Sequence, residues 1–305
     1  MTSKPLTLLN LPISIANQVL EKLGPVEILT CRKVCRNLRT AIDKLGTHFN
    51  KISIELWSNS VLLDFDGIKI THSARFNGGS YVLFNGRRKT IEGVNYMEVA
   101  FKDLKILLKH TSKLYILKRG RYRGNIVNFL VDVLKENAHI HVETLTLDNF
   151  SVDDVLLILP LFESRTFEEI TLRETFALDQ FERITHLDQW KNAKRFNFWI
   201  SPFDCPPIEY FFHFEDFTIN IYNISMQSVI KVRDDLLQRC TFQKCIFFVL
   251  NLNLDPVELA RVFQPDYAGG DEFKLDYSNG KSKFEINFGD CSFRDGIWKF
   301  EIKKC

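Results

Sequence analysis

The chain has 305 residues, 45% of them apolar, and its 40 Lys and Arg against 38 Asp and Glu leave a formal net charge of +2. That length supports one large or two modest domains with a substantial core, and the near balance of charge argues against a dedicated nucleic-acid binder, which needs a strong positive field. No apolar run reaches the roughly 18 to 20 residues that a membrane-spanning helix needs. The seven cysteines, at 31, 35, 205, 240, 245, 291 and 305, lack the spacing of a disulfide framework. The start, MTSKPLTLLNLP, has too short an apolar segment for a signal peptide. A reducing compartment, cytoplasmic or nuclear, is therefore expected, with no membrane partner.

In chain order, the first pattern runs from Leu8 to Leu45. Pro12 suits a first helical turn, where its missing N–H leaves nothing unpaired. Ile15, Val19 and Leu23 recur every four residues, and Gly24-Pro25 breaks that helix. Ile28 and Leu29 follow, then a second periodic set of Val34, Leu38, Ile42 and Leu45. Three helices this short bury too little surface to be comfortable alone, so a spare apolar face is expected to dock on something.

The residues Leu11-Pro12, Ile15, Val19-Leu20, Leu23, Pro25, Ile28-Leu29, Arg32-Lys33-Val34-Cys35-Arg36 and Leu38-Arg39 together resemble an F-box. Two positions depart from that family's pattern: Ile13 stands where an acidic residue is common, and Leu38 where a tryptophan is common. The resemblance implies a domain over residues 6–45 that docks on a Skp-type adaptor and, through it, on the cullin of a ubiquitin ligase. Leu11, Pro12, Ile15, Val19, Leu20, Ile28, Leu29 and Val34 are the adaptor-binding candidates. The alternative for this stretch is a helical cap packed on its own protein.

Residues 50 to 90 alternate with the strand period, through Ile52, Ile54 and Leu56, then Val61, Leu63 and Phe65, then Ile68 and Ile70. Asp66-Gly67, Gly78-Gly79 and Asn85-Gly86 mark turns between them. Tyr96 to His110 reads as an amphipathic helix through Val99, Leu104, Leu107 and Leu108. From about residue 112 the sequence repeats with a period of roughly 25 residues, within the leucine-rich-repeat range. Val142-x-x-Leu145-x-Leu147, Phe167-x-x-Ile170-x-Leu172 and Ala193-x-x-Phe196-x-Phe198 form one series. Thr146-Leu147-Asp148-Asn149-Phe150-Ser151 lines up with Asn220-Ile221-Tyr222-Asn223-Ile224-Ser225. Each copy is expected to be a strand, a polar turn and a helix, with Ser151, Ser201, Ser225 and Asp255 as N-caps and Pro202 and Pro256 just inside. Asp255-x-x-Glu258 resembles a capping box. Asn149-Phe-Ser151 and Asn223-Ile-Ser225 match the glycosylation pattern, but their serines fall at helix starts in a chain with no secretion signal.

The last segment pairs Phe273-x-Leu275-x-Tyr277 with Phe284-x-Ile286-x-Phe288 across Ser278-Asn279-Gly280-Lys281, a hairpin signal, and Asp295-Gly296 joins another pair, with Ile297, Trp298, Phe300 and Ile302 following. The expected fold is therefore α/β: an N-terminal three-helix F-box, then a curved strand–helix solenoid (leucine-rich-repeat-like) over about 112–264, closed by a β-hairpin cap at 271–304. This arrangement resembles the nematode-type F-box proteins that carry an FTH domain, which would occupy residues 50–305 and implies a protein target. With Leu145 and Leu147 inward, Thr144, Thr146 and Asp148 face solvent. The matching positions are Glu169, Thr171 and Arg173; Arg195, Asn197 and Trp199; and Thr218, Asn220 and Tyr222. Asp148, Arg173, Asn197, Trp199, Asn220 and Tyr222 are the target-binding candidates.

No P-loop, dinucleotide fingerprint or Gly-x-Ser-x-Gly elbow occurs. Cys31-x-x-x-Cys35 offers half a zinc site, and His139-x-His141 has no placed carboxylate or cysteine. No catalytic residue, metal or cofactor is expected. The basic stretches Lys118-Arg119-Gly120-Arg121-Tyr122-Arg123 and Arg87-Arg88-Lys89 fall in expected turns, where charge is solvated; the first could instead grip an acidic protein segment or an RNA backbone. Two function classes stand beside the ubiquitin-ligase receptor: an enzyme, and a protein-binding solenoid scaffold without a ubiquitin link.

Overall fold

The computed structural model describes residues 13–20, 22–45, 49–108, 111–120, 126–136, 140–175, 178–199, 206–291 and 296–305. The chain divides into two compact units, residues 1–143 with 161–163, and residues 144–160 with 164–305.

The first unit begins with helices α1 (Ile13–Leu20), α2 (Pro25–Val34) and α3 (Arg36–Leu45). Gly24 is extended ahead of Pro25, which takes the first helical position of α2. Cys35 is extended (φ −156°, ψ 168°), and this one residue separates α2 from α3. Its carbonyl accepts from the Arg39 N–H at 3.1 Å and its Sγ accepts from the Leu38 N–H at 3.5 Å, so it starts α3 as it ends α2. Leu20, Ile28, Leu38 and Ile42 close on one another as a small core, with Leu23, Cys31, Cys35 and Ala41 packed around it.

Strands β1 (Phe49–Trp57), β2 (Ser60–Phe65), β3 (Ile68–Ala74), β4 (Ser80–Phe84) and β5 (Arg87–Ile91) follow as an antiparallel meander. Helix α4 (Tyr96–Leu107) is capped by Asn95, whose Oδ1 accepts from the Met97 N–H at 2.9 Å. His110 lies outside the described residues. Strand β6 (Thr111–Lys118) returns parallel to β1, giving the order β6-β1-β2-β3-β4-β5, and α5 (Ile126–Lys135) comes after it. Ile52, Ile54, Leu56, Val61, Leu63 and Phe65 are wholly buried on one face, as the alternation requires. Asp66 (φ 51°) with Gly67 (φ 92°), and Asn85 (φ 48°) with Gly86 (φ 72°), take the left-handed conformations of two-residue hairpins. The second of these corrects an expectation. Asn85 and Gly86 complete the turn by themselves, so Arg87, Arg88 and Lys89 lie on β5 and not in a turn.

The second unit contains β7 (Thr144–Asp148), α6 (Val152–Ile158), β8 (Glu169–Arg173), α7 (Glu182–Thr185), α8 (Asp188–Asn192), β9 (Arg195–Trp199), β10 (Asp216–Ile221), α9 (Met226–Asp234), β11 (Lys244–Val249), α10 (Pro256–Arg261), β12 (Phe273–Ser278), β13 (Lys283–Asp290) and β14 (Trp298–Lys304). Strands β7 to β11 pair in sequence order and in parallel. The expected apolar spacing holds through Leu145/Leu147, Phe167/Ile170/Leu172 and Ala193/Phe196/Phe198, and continues through Phe214/Phe217/Ile219 and Phe242/Cys245/Phe247, all buried. Trp190 meets Phe196 edge-on at 4.6 Å and Phe214 at 4.9 Å, while Phe196 and Phe211 stack at 5.7 Å. Ser151 forms a capping box with Asp154, each accepting from the other's N–H at 3.1 Å. Ser225 caps α9 through the Ser228 N–H at 3.0 Å, and Asp255 caps α10 through the Val257 N–H at 2.9 Å, with Val257 and not Glu258 as its partner. Ser201 and Pro202 lie outside the described residues.

Two expectations are corrected here. The expected β12–β13 hairpin is present, but the cap is larger than a hairpin: β14 extends it to a three-stranded antiparallel meander in the order β12-β13-β14-β11. Inserting β14 beside β11 pairs the backbone edge that a lone β12–β13 hairpin would have left open. The β10 repeat also runs two residues longer than the turn motif suggests. Thr144, Glu169, Arg195, Asp216 and Lys244 share one row, so Asp216, Thr218 and Asn220 answer to Thr144, Thr146 and Asp148. Because the strand period is two, the face is preserved while Tyr222 moves just beyond the strand.

Phe196→Ala leaves a cavity where four rings meet and is expected to lower stability by about 3–5 kcal/mol in chemical denaturation. Ser151→Ala, which removes one cap, is expected to lower it by about 1 kcal/mol in the same assay.

Candidate docking surfaces

Two surfaces gather the functional candidates. On the N-terminal helices, apolar side chains divide between the small core and solvent. Ile15 and Val19, one turn apart on α1, are 44% and 39% exposed, and Val34 at the end of α2 is 67% exposed. Leu20 and Ile28 point the other way, at 0% and 8% exposure, into the core with Leu38 and Ile42. They hold the helices together and do not present themselves to a partner. Leu11 and Pro12 lie outside the described residues, as does the side chain of Leu29. Exposed Arg36 and Arg39 on α3 add positive charge, with Arg39 Nε donating to the Arg32 carbonyl at 3.5 Å. The helices thus carry both exposed aliphatic groups and exposed arginines, which suits burial against another protein.

The second surface is the face of the second unit's sheet opposite its apolar rows. Near the strand starts it is a charge ladder. Arg195 Nε lies 3.3 Å from Glu169 Oε2, and Asn197 Nδ2 donates to Glu169 Oε1 at 2.8 Å. Glu301 on β14 receives Lys244 Nζ at 2.8 Å and Lys299 Nζ at 2.6 Å. Burial pushes the Glu301 carboxyl up, but the bonds from Lys244 and Lys299 together outweigh it and hold it below the ordinary range. Asp216 behaves oppositely: its burial outweighs the attraction of Lys244 and Arg195, and its carboxyl is raised.

Toward the strand ends the face becomes aromatic. Trp199 on β9 and Phe248 on β11 meet at 5.6 Å, tilted by 37°, on either side of β10. Asn220, which pairs with Phe248 in the register, is thereby reduced to 4% exposure. Arg173 is exposed on β8, Asp148 and Asn197 are half-buried, and Tyr222 and Leu250 are each 40% exposed. The face thus brings together Arg173, Trp199 and Tyr222 as reachable groups, while Asn220 lies beneath the rings. Phe248, Leu250 and Asp216 were missed from the sequence. Alternation along Lys244–Val249 was the signal for the first, since Cys245, Phe247 and Val249 are buried and Phe248 must face away.

Other chemistry is sparse. Among the described residues no group of three His, Cys, Asp or Glu is placed to hold a metal ion, and no helix is long and apolar enough to cross a membrane. Cys31 and Cys35 are half-buried around the helical core, and burial pushes the Cys245 thiol up. His139 and the basic residues from Arg121 to Arg123 lie outside the described residues; Arg119 sits over the Trp57 ring at 5.6 Å.

Comparison with known families finds two matches. A family model of the F-box domain matches residues 8–50, and one of the FTH domain matches residues 124–266. The curated F-box A protein 224 of Caenorhabditis elegans is 26% identical over 303 residues, covering 93% of this chain and 77% of that protein. Spermidine synthase from Thermotoga maritima, a solved structure, aligns with 82% of this chain and 78% of its own at 12% identity, with a TM-score of 0.19. That score is too low to indicate a shared fold.

The raised Asp216 carboxyl has a testable consequence. In the window between the ordinary carboxylate value and its own raised one, the folded state binds the proton more tightly than the unfolded chain, so this group's contribution to stability falls as pH rises. Asp216→Asn is expected to be at least as stable as the parent at neutral pH, with any gain vanishing at acid pH. Thermal melts of both proteins across pH measure this.

Proposed function

We propose, from the premise that this chain carries an F-box domain and an FTH domain, that it is a substrate-recognition subunit of a Skp–cullin–F-box ubiquitin ligase. In this reading residues 6–45 dock on a Skp-type adaptor, the adaptor connects to a cullin, and residues 50–305 bind a protein target through a leucine-rich-repeat-like solenoid. F-box proteins are in general non-catalytic receptors, and the ubiquitin-transfer chemistry belongs to the other subunits. The chain would work in the cytoplasm or nucleus. The observation that carries the proposal is the exposure of Ile15, Val19 and Val34 on a helical array that the F-box model matches.

The energetics favour this reading. Large aliphatic side chains held in water by a bundle with its own core are stabilised by roughly 1.5–3 kcal/mol each when fully buried. A partner that covers Ile15, Val19 and Val34, which are 44%, 39% and 67% exposed, gains a fraction of that increment from each without unfolding anything. Leu11, Pro12 and Leu29 remain proposed members of the same contact. Leu20 and Ile28 contribute by fixing the spacing of α1 and α2. On the target side, Arg173, Trp199 and Tyr222 are the proposed anchors, since aromatic and arginine side chains dominate interface hot spots. Asp148 and Asn197 form the polar margin, and Asn220 supports the rings above it.

Ile15→Asp and Val34→Asp are each expected to weaken adaptor capture by about 2 kcal/mol or more, roughly thirtyfold, with unchanged melting temperature. Leu20→Ala is expected to lower the melting temperature instead. The measurement is binding of purified chain to purified Skp-type adaptor. Undiminished capture by both aspartate variants would overturn the docking surface. A wild-type chain that binds no adaptor, yet retains other protein partners lost on Trp199→Ala, would be a scaffold without a ubiquitin link.

A further inference from the structure

We propose that β5 is a docking edge for an acidic, extended polypeptide segment, which joins the first unit's sheet as an added strand. Among the described residues, strand β5 is the outermost of that sheet and pairs with β4 alone. The Asn85-Gly86 turn makes Phe84 and Arg87 the first pair of the hairpin, so they exchange both backbone hydrogen bonds. Antiparallel ladders alternate bonded and non-bonded pairs. Lys89 and Ile91 therefore bond to β4 as Arg87 does, while Arg88 and Thr90 turn their N–H and C=O groups away from the sheet. The edge offers two donors and two acceptors in strand geometry.

Charge selects what can pair there. Arg87, Arg88, Lys89 and Thr90 are all exposed. Among the described residues, none of the three cations lies in an ion pair. The outermost strand of the second unit's sheet, β12, differs: its exposed Lys274 is neutralised by Glu285 at 2.7 Å. Arg88 is held in place, its guanidinium 3.3 Å from the centre of the Tyr81 ring, which fixes the cation without satisfying its charge.

Basic residues on an edge normally prevent strand pairing, because a neutral partner must desolvate them and a basic one is repelled. A second copy of β5 would set arginine against arginine. An acidic strand reverses the sign of that barrier and becomes the favoured occupant. The spacing also specifies its sequence. Successive residues of a strand point to opposite faces, so Arg87 and Lys89 lie on one face and Arg88 on the other. Neutralising all three takes carboxylates on both faces of the added strand, that is, consecutive Asp or Glu residues. Isolated or alternating acids would meet only one face.

Fluorescence anisotropy with the full chain tests this, using a labelled peptide with three successive glutamates flanked by valine and threonine, and its glutamine counterpart. Thr90→Pro removes an N–H that the fold does not use, and is expected to weaken the acidic peptide about tenfold while the melting temperature holds. N-methylating alternate amides of the peptide is expected to do the same, without relying on the variant to fold. Reversing all three charges (Arg87→Glu, Arg88→Glu, Lys89→Glu) is expected to abolish binding of the glutamate peptide and admit a lysine one. Equal binding of the glutamine peptide would overturn the charge argument. Binding untouched by both Thr90→Pro and N-methylation would overturn strand addition. Tighter binding of single-stranded RNA or anionic vesicles, equally untouched by Thr90→Pro, would assign the strip to phosphate groups and overturn the proposal. The site is separate from the helical face, so Ile15→Asp is expected to leave it intact.

Discussion

The second unit depends on one repeated constraint: each parallel strand must bury two alternate apolar side chains in register with those of its neighbours. Leu145 and Leu147, Ile170 and Leu172, Phe196 and Phe198, Phe217 and Ile219, and Cys245 and Phe247 form these rows, wholly buried. Since the strand period is two, burying one set dictates that the intervening residues face the other way. The outer face, with its ladder of Glu169, Arg195, Asp216 and Lys244, is thus a by-product of the inner one. A substitution that disturbs the inner rows disturbs both faces, whereas one on the outer face leaves the inner rows in place.

Turns transmit this register. Asn149 (φ 64°) and Glu174 (φ 44°) take left-handed conformations at equivalent points after β7 and β8. Their N–H groups donate to the carbonyls of Arg173 and Trp199 on the next strand, at 2.8 and 2.9 Å. After β10 and β11 the pattern is kept with a different turn, where the Leu250 and Asn251 N–H groups donate to Ile221 and Tyr222. Each strand end is thus tied to its neighbour before the helix begins, and the aromatic groups near these ends, Trp199 and Tyr222, inherit a fixed position.

Much of this was legible in the sequence because it rests on local chemistry. The Asn85-Gly86 turn, the Ser151 and Ser225 caps and the Phe196-x-Phe198 alternation each need a particular residue type at a particular spacing. What escaped was set by pairing between distant strands. Nothing within residues 216–221 announces that β10 starts one pleat earlier than its turn motif suggests; only its register with β9 and β11 does. The place of β14 beside β11 is likewise a long-range choice, since the local hairpin signals are the same whichever strand reaches the open edge. On the helices, periodicity placed Ile15 and Val19 on one face but could not say whether that face looked inward. In a bundle this small, Leu20 and Ile28 already fill the core.

The three surfaces use charge in different ways, and the difference follows from what each has left unsatisfied. Much of the charge on the outer face of the second unit is paired within the face, as Arg195 with Glu169, and Lys244 and Lys299 with Glu301, show. A partner there gains little from the paired charges, which sit in a high-dielectric surface and are already satisfied. In the proposed role its grip would come from Trp199, Tyr222 and Arg173, which has no ion pair among the described residues. The helices offer exposed aliphatic groups and exposed arginines, a combination in which burial supplies affinity and charge supplies orientation. Strand β5 offers neither apolar area nor internal neutralisation. Among the described residues its cations lie in no ion pair and its outward backbone groups meet no further strand, so a strand that brings both carboxylates and main-chain partners is the addition that satisfies the two together.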